Sequence, residues 1–317
     1  MNPIYPPKGL IIPMVTPCDG KGRIDWDSFE RLMERILPLA DGLCVGESLV
    51  GEGLWLPPPL RQELLSGALR LLAGRKPLFL CATGATEAET LSGIEEITAQ
   101  AVRASIESQI FWVDLPLWYH SNRKLPQLYE EWKRRTPFPI LLSNQPTVIA
   151  LRGKTLKRRN IRTSILKRLV ENEQIVGLFY TGGLKRAMDY QRAVRQRRDF
   201  LFYDGEERSF LNQPSASGVV APGANLLPSE WREIVQASLH LCEDPVQNLR
   251  VFQQSQNLRI LSQILREGPA GMLKQALHRL GILSEAKLWT SNAGPSAAGS
   301  AALDRFLREN LSLRDAR

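Results

Sequence analysis

The chain has 317 residues, of which 43% are hydrophobic and 23% charged, a composition typical of a globular protein. The net charge of +8 leaves binding to anionic polymers open, but charge alone is weak evidence and we expect no nucleic-acid role. Four scattered cysteines and three distant histidines argue against a metal site, and we predict neither a metal nor a cofactor. Because no signal-peptide pattern and no long apolar run occurs, we expect a cytoplasmic protein without a membrane span.

Short apolar runs alternate along the chain with amphipathic helical patterns. The first run, Gly9–Val15, precedes a helix for which Asp25 is the predicted N-cap. The later apolar runs are Gly42–Val45, Leu78–Cys81, Ile110–Val113, Pro139–Leu142, Ile175–Tyr180, Phe200–Tyr203 and Gly218–Ala221. Eight strands alternating with helices predict an α/β fold of the (β/α)8 TIM-barrel type. A doubly wound open sheet is the alternative, but it needs a phosphate-binding motif after the first strand, and none occurs.

The chain divides into a predicted barrel, residues 1–240, and a C-terminal helical segment, residues 241–317. Helices are expected in the second part at about 246–266, 269–280 and 299–313. We expect this appendage to pack on the barrel.

Several motifs carry a resemblance to a known family through their order and spacing. They are the opening Gly-Leu-Ile-Ile-Pro-Met-Val-Thr-Pro from Gly9, Asp41-Gly42-Leu43, Ile175-Val176-Gly177, Asp204-Gly205-Glu206 and Gly218-Val219-Val220. Together they resemble the dihydrodipicolinate synthase and N-acetylneuraminate lyase family. The resemblance implies a homo-oligomeric class I aldolase, a dimer or tetramer, in which a lysine on the sixth strand forms a Schiff base with a 2-oxo acid. A tyrosine on the fifth strand, hydroxyls after the second and an arginine would assist.

The chain departs from that pattern at the positions that carry the chemistry. Phe179 stands where the family carries its lysine, and Ser143 stands where it carries its tyrosine. Val148 falls at or near the arginine position, and the segment from Ser48 to Glu52 lacks the threonine hydroxyls. Because phenylalanine cannot form an imine, this alignment excludes the Schiff-base mechanism. We therefore hypothesise a member of the family that binds a ligand or another protein without catalysis.

The residues after the strands are predicted to line a ligand pocket at the barrel mouth, where the strands end. The candidates are Glu47, Ser48, Val50, Glu52, Trp118, Ser143, Asn144, Phe179, Thr181, Asp204 and Glu206. Such an aromatic and acidic pocket favours a neutral or cationic ligand over a 2-oxo acid. The alternative hypothesis is an active lyase with a remodelled pocket, in which Glu47, Glu52, Asp204 or Glu206 serves as acid and base.

A lysine, a basic segment and two cysteines were also considered for functional roles, and none of them is predicted to take part in catalysis. Lys185 is predicted to be a solvated helix residue rather than a displaced Schiff-base lysine. The basic segment 152–168 contains no acid, and we interpret it as a solvated loop, with docking of an anionic polymer as the third hypothesis. Cys18 and Cys81 end strands, but no histidine is placed to activate them as nucleophiles.

Overall fold

The computed structural model describes residues 5–72, 74–106, 109–153, 158–240, 245–289 and 294–310. Within them, parallel strands close into a barrel in sequence order, with the first strand pairing with the eighth, which confirms the predicted (β/α)8 fold. The strands are β1 (Gly9–Pro13), β2 (Gly42–Val45), β3 (Leu78–Cys81), β4 (Ile110–Asp114), β5 (Ile140–Asn144), β6 (Ile175–Tyr180), β7 (Leu201–Asp204) and β8 (Gly218–Val220).

Helices follow the strands and surround the barrel. They are α1 (Trp26–Ile36), α2 (Pro58–Leu72), α3 (Glu87–Arg103), α4 (Leu125–Arg135), α5 (Pro146–Ala150), α6 (Thr163–Leu169), α7 (Leu184–Val194), α8 (Glu207–Asn212), α9 (Pro228–Leu239), α10 (Pro245–Leu265), α11 (Pro269–Arg279) and α12 (Ala297–Asn310). The sequence did not predict α5 and α8, because helices this short show no full hydrophobic period. No helix in the described part of the chain is long and apolar enough to cross a membrane.

The first helix shows how local sequence sets an element. The Asp25 carboxylate accepts a hydrogen bond from the Ser28 backbone N–H at 3.1 Å, as an N-cap should. Phe29, Leu32 and Ile36 recur at helical spacing and are completely buried against the barrel. The cap and the apolar face that the sequence predicted are both confirmed.

Aromatic side chains fill the inside of the barrel. The rings of Phe79 and Phe111 stack with centroids 5.1 Å apart, and Phe79 also contacts Phe179 at 5.7 Å. The Tyr203 ring meets Phe179 edge-on at 5.4 Å. Gly42 makes room for this packing, because a Cβ there would lie 2.6 Å from the Phe79 ring. The barrel interior is therefore a packed core up to the level of Phe179.

The C-terminal helices are joined to the barrel by a buried ion pair. The ammonium of Lys274, on α11, contacts the Glu52 carboxylate, and both side chains are almost completely buried. Lys274 also donates to the Lys287 carbonyl at 3.0 Å, and the Trp289 backbone N–H donates to Glu52 at 2.9 Å. Burial raises the pKa of Glu52, although the Lys274 ammonium opposes the shift. The loop after β2 is thus fixed against α11 and the segment that follows it.

Candidate ligand site at the barrel mouth

A small cavity lies at the barrel mouth, above the packed core. Its outer compartment, of about 70 Å³, is bounded by Pro13, Glu47, Leu49, Val50, Gln145, Thr147, Phe179, Thr181, Gly205, Val220, Pro222 and Pro269. An inner compartment of about 10 Å³ is bounded by Gly46, Glu47, Ser48, Leu54, Cys81, Thr83, Val113, Leu115, Ser143, Gln145 and Phe179. Both contain Glu47, Gln145 and Phe179, so the two compartments adjoin.

The loop after β2 holds the Glu47 carboxylate in this cavity. One carboxylate oxygen accepts hydrogen bonds from the backbone N–H groups of Leu49 and Val50, each at 2.8 Å. The other accepts a hydrogen bond from the Gln145 amide at 2.9 Å. The loop can fold back so closely because it is rich in glycine: a Cβ at Gly53 would lie 1.9 Å from the Gly46 carbonyl oxygen. Glu47 is therefore a fixed acceptor with three neutral donors.

Two polar groups beside Glu47 lack a partner within the protein. The Ser143 hydroxyl and the Gln145 carbonyl oxygen are buried and make no hydrogen bond to any described residue. Ser143 is 4% exposed and Gln145 is 9% exposed. Buried polar atoms are normally satisfied, so these two atoms mark a place where the site has unused bonding capacity.

Phe179 forms the bottom of the cavity. It lies on β6 between Ser143 of β5 and Tyr203 of β7, which are its partners in the strand register. Its side chain is 2% exposed and packs into the aromatic core. No lysine, arginine or histidine bounds either compartment.

The structure brings together six of the predicted pocket residues: Glu47, Ser48, Val50, Ser143, Phe179 and Thr181. The other predicted pocket residues lie elsewhere, and the alternation of side chains along a strand explains two of them. Asn144 faces away from the barrel axis, where its carboxamide oxygen accepts hydrogen bonds from the Ile161 N–H and the Tyr190 hydroxyl. Asp204 also faces outward, and its carboxylate accepts the Ser215 N–H at 2.9 Å.

Three more predicted pocket residues lie outside the two compartments. Glu52 has a left-handed backbone conformation, with φ of 52°, and turns toward Lys274 instead of the cavity. Trp118 packs edge-on against Trp55, with centroids 5.8 Å apart, at the rim outside both compartments. Glu206 is the half-buried residue that precedes α8 and does not bound the cavity.

Gln145 and Pro269 also bound the cavity, although neither was among the predicted pocket residues. The predicted fifth strand ended at Leu142, whereas β5 continues through Asn144. Continued alternation places Ser143 and Gln145 on the same side, which is the signal that was available. Pro269, at the start of α11, reaches the mouth only through the packing of the C-terminal helices, so no local pattern predicts it.

Lys185 is exposed at the start of α7. In the basic segment, the described side chains of Arg158, Arg159 and Arg162 are exposed, and residues 154–157 lie outside the described part of the chain, as does Cys242. Cys81 is buried, with its sulfur 3.5 Å from that of Cys44, and this contact and burial raise the pKa of its thiol. Among described residues, no group of three or more metal-binding side chains occurs.

Buried carboxyl groups outside the mouth predict a stability that falls as the pH rises. Glu207 is 5% exposed and accepts a hydrogen bond from the Gly223 N–H, and its burial raises its pKa from 4.5 to about 7. The folded state therefore keeps a proton that the unfolded chain loses between these two values. The free energy of unfolding therefore falls as the pH rises from about 4.5 to about 7, and this group lowers it by up to about 3 kcal/mol above that window.

We expect Glu207→Gln to flatten this dependence, because glutamine keeps the acceptor for Gly223 and carries no charge. Urea unfolding between about pH 5 and about pH 8 should show the variant to be more stable than the wild type at the upper end. Glu130→Gln, at an exposed position of α4, is the control and should retain the wild-type slope. An unchanged slope in Glu207→Gln would contradict the assignment.

Comparison with known proteins decides the family. A model described as the dihydrodipicolinate synthetase family matches residues 6–290. The chain belongs to this family. One relative is the 4-hydroxy-tetrahydrodipicolinate synthase of Pseudomonas syringae pv. syringae (strain B728a). Its sequence is 24% identical to this chain over 283 residues, which cover 87% of this chain and 89% of the relative.

Solved structures related to the dihydrodipicolinate synthetase family share the fold. The 4-hydroxy-tetrahydrodipicolinate synthase from Methylacidiphilum fumariolicum SolV has a TM-score of 0.78 and 24% identity over 95% of each chain. The prophage protein YagE from E. coli K12, solved in complex with pyruvate, has a TM-score of 0.78 and 17% identity over 95% of this chain and 98% of that one. At these identities the likeness shows the fold alone.

Proposed function

We propose that this member of the dihydrodipicolinate synthetase family has no Schiff-base aldolase chemistry and binds a small neutral or cationic molecule at the barrel mouth. The observation that carries the proposal is Phe179, which forms the bottom of the cavity at the position where the resemblance places the reactive lysine. A phenyl ring has no amine with which to attack a carbonyl carbon.

The other lysines of the described chain are not placed to substitute for it. Lys274 is completely buried, bonded to Glu52 and the Lys287 carbonyl, and does not bound the cavity. Lys185 is exposed on α7 and also lies outside the cavity. These placements support the loss of imine chemistry.

The charge of the mouth supports the choice of ligand. A 2-oxo acid brings a carboxylate, and the carboxylic acid that bounds the cavity is Glu47. Two carboxylates in a confined site repel each other, and no cation at the cavity wall compensates for either. A neutral or positively charged molecule avoids this cost.

Borohydride reduction in the presence of pyruvate tests the proposal. An imine between pyruvate and a lysine would be reduced to a stable secondary amine, which intact-mass spectrometry detects. We expect no adduct on this protein, because the cavity contains no amine.

A family member that carries the lysine, treated in parallel, should gain the adduct. A stable adduct on the present chain would refute the proposal. Peptide mapping with Lys185→Met and Lys274→Met variants would then identify the lysine responsible.

A second function, lyase chemistry that uses a carboxylate, is favoured by one observation. Of the four predicted acid–base residues, Glu47 bounds the cavity, where it lies beside Phe179, and the other three do not. NMR can follow turnover of a 2-oxo acid with an aldehyde. Turnover in the wild type that is abolished in Glu47→Gln, together with the absence of a borohydride adduct, would support this function over the first.

Assembly into a homo-oligomer and residence in the cytoplasm also stay proposals, and family membership is their support.

A further inference from the structure

The inner compartment of the mouth contains several hydrogen-bond acceptors and no positively charged side chain. It is bounded by the Glu47 carboxylate and by two buried polar groups without protein partners, the Ser143 hydroxyl and the Gln145 carbonyl oxygen. All three offer acceptor lone pairs. The compartment of about 10 Å³ has room for one group the size of a water molecule.

The charge of the compartment is not neutralised by the protein. Glu47 receives hydrogen bonds from two backbone N–H groups and from the Gln145 amide, all of them neutral. No lysine, arginine or histidine bounds either compartment. A buried carboxylate is normally paired with a cation, so a cationic ligand would complete the arrangement.

The outer compartment is shaped for a short apolar body. Pro13, Val220, Pro222 and Pro269 contribute rigid apolar walls, and Phe179 closes the bottom. Its volume of about 70 Å³ corresponds to about five water-sized positions. A chain of a few carbon atoms fits this space, whereas a bulky or many-charged molecule does not.

We propose that the mouth binds a small primary alkylammonium compound, with its ammonium group in the inner compartment and its short alkyl chain between the prolines. A primary ammonium has three N–H donors, which match Glu47, Ser143 and Gln145. An alcohol of the same length supplies one donor and no charge, and a carboxylate supplies a charge of the wrong sign. The inference rests on the proposed function, since it gives the chemical class of the ligand of that same cavity.

Calorimetry and ligand-observed NMR with n-butylammonium chloride, n-butanol and sodium butyrate test the assignment on the wild-type protein. We expect saturable binding of n-butylammonium with a Kd on the order of millimolar, as suits so small a ligand. Binding of n-butanol should be at least about tenfold weaker, and butyrate should not bind. These comparisons need no variant and so do not depend on whether a substituted chain folds.

Substitutions then locate the site. Glu47→Gln should weaken n-butylammonium binding at least about tenfold, because it removes the charge and replaces one of the two acceptor oxygens with a donor. Binding of uncharged n-butanol should change much less. Ser143→Ala should weaken n-butylammonium binding to a smaller degree. Glu206→Gln removes a carboxylate outside the cavity and is the matched control, for which no change is expected. A thermal melt confirms that each variant is folded before titration.

The inference is overturned if butyrate or n-butanol binds as tightly as n-butylammonium, if none of the three binds, or if Glu47→Gln binds the ammonium as the wild type does. These results are separate from failure of the proposed function. A pyruvate adduct after borohydride refutes the loss of imine chemistry whether or not the amine binds. Absent or unselective amine binding without an adduct refutes only the ligand class.

Discussion

Lys274→Met is expected to lower the free energy of unfolding by about 3–5 kcal/mol, the usual consequence of leaving a buried charge without its partner. The variant removes the ammonium that faces Glu52, while the Trp289 N–H continues to donate to the carboxylate. Because burial already raises the pKa of Glu52, loss of the cation should raise it further. The damage should therefore be smaller at about pH 5, where the carboxyl can be protonated, than at about pH 8.

The double variant Glu52→Gln/Lys274→Met separates the charge effect from the packing effect. It should recover part of the stability lost in Lys274→Met, because no uncompensated charge remains. Arg250→Met is the matched control. The ion pair of Arg250 with Glu233 is largely solvated, so the free energy of unfolding from urea titration should change by at most about 1 kcal/mol. A Lys274→Met protein as stable as the wild type at both pH values would contradict the role given to this pair.

Phe179→Ala is expected to cost about 3–5 kcal/mol of stability and to join the mouth cavity to the space left in the barrel core. The ring contacts Phe79 and Tyr203, whose positions are set by their own strands, so the surroundings cannot close around the void. Phe179→Leu keeps most of the volume and should cost less than Phe179→Ala. Urea unfolding gives both values.

Phe252→Ala is the control for the same chemical change on the surface. Phe252 lies on α10 and is 61% exposed, so its truncation should alter stability by no more than about 0.5 kcal/mol. If Phe179→Ala is as mild as this control, then the ring is not part of the packed core, and the mouth is more open than the structure indicates. Enlargement of the cavity can be tested independently, because longer alkylammonium ions should then bind better.

The barrel was predictable because its signals are local and repeated. Apolar runs that end in polar or glycine-bearing loops mark buried parallel strands, and intervening helical periods mark the outer layer. The cap at Asp25 and the positions of the eight strands follow from such patterns. The ends of the strands were less predictable. β5 runs two residues further than the apolar run, since Ser143 and Asn144 pair with β6 despite their polarity, and β4 and β7 each extend onto an aspartate.

The mouth was predictable in part. Alternation along a strand decides whether a residue points inward, and it separates Ser143, which bounds the cavity, from Asn144, which faces the helices. Glu47 and Glu52 lie in the same loop, yet only the first reaches the cavity. A backbone with positive φ at Glu52 and a lysine on α11, far away in sequence, turn the second aside.

By itself, the sequence determined that this chain is a (β/α)8 barrel and that the sixth strand presents a phenylalanine where a family resemblance implies a lysine. Both conclusions depend on local sequence patterns, in which residues close together in the chain are sufficient to indicate a strand, a helix or a family motif. Only the tertiary structure decided that Phe179 closes the bottom of a small cavity and that Gln145 and Pro269 help to bound it. It also assigned Glu47, rather than Glu52 or Asp204, to the cavity, because such assignments depend on contacts between segments that the chain itself keeps far apart.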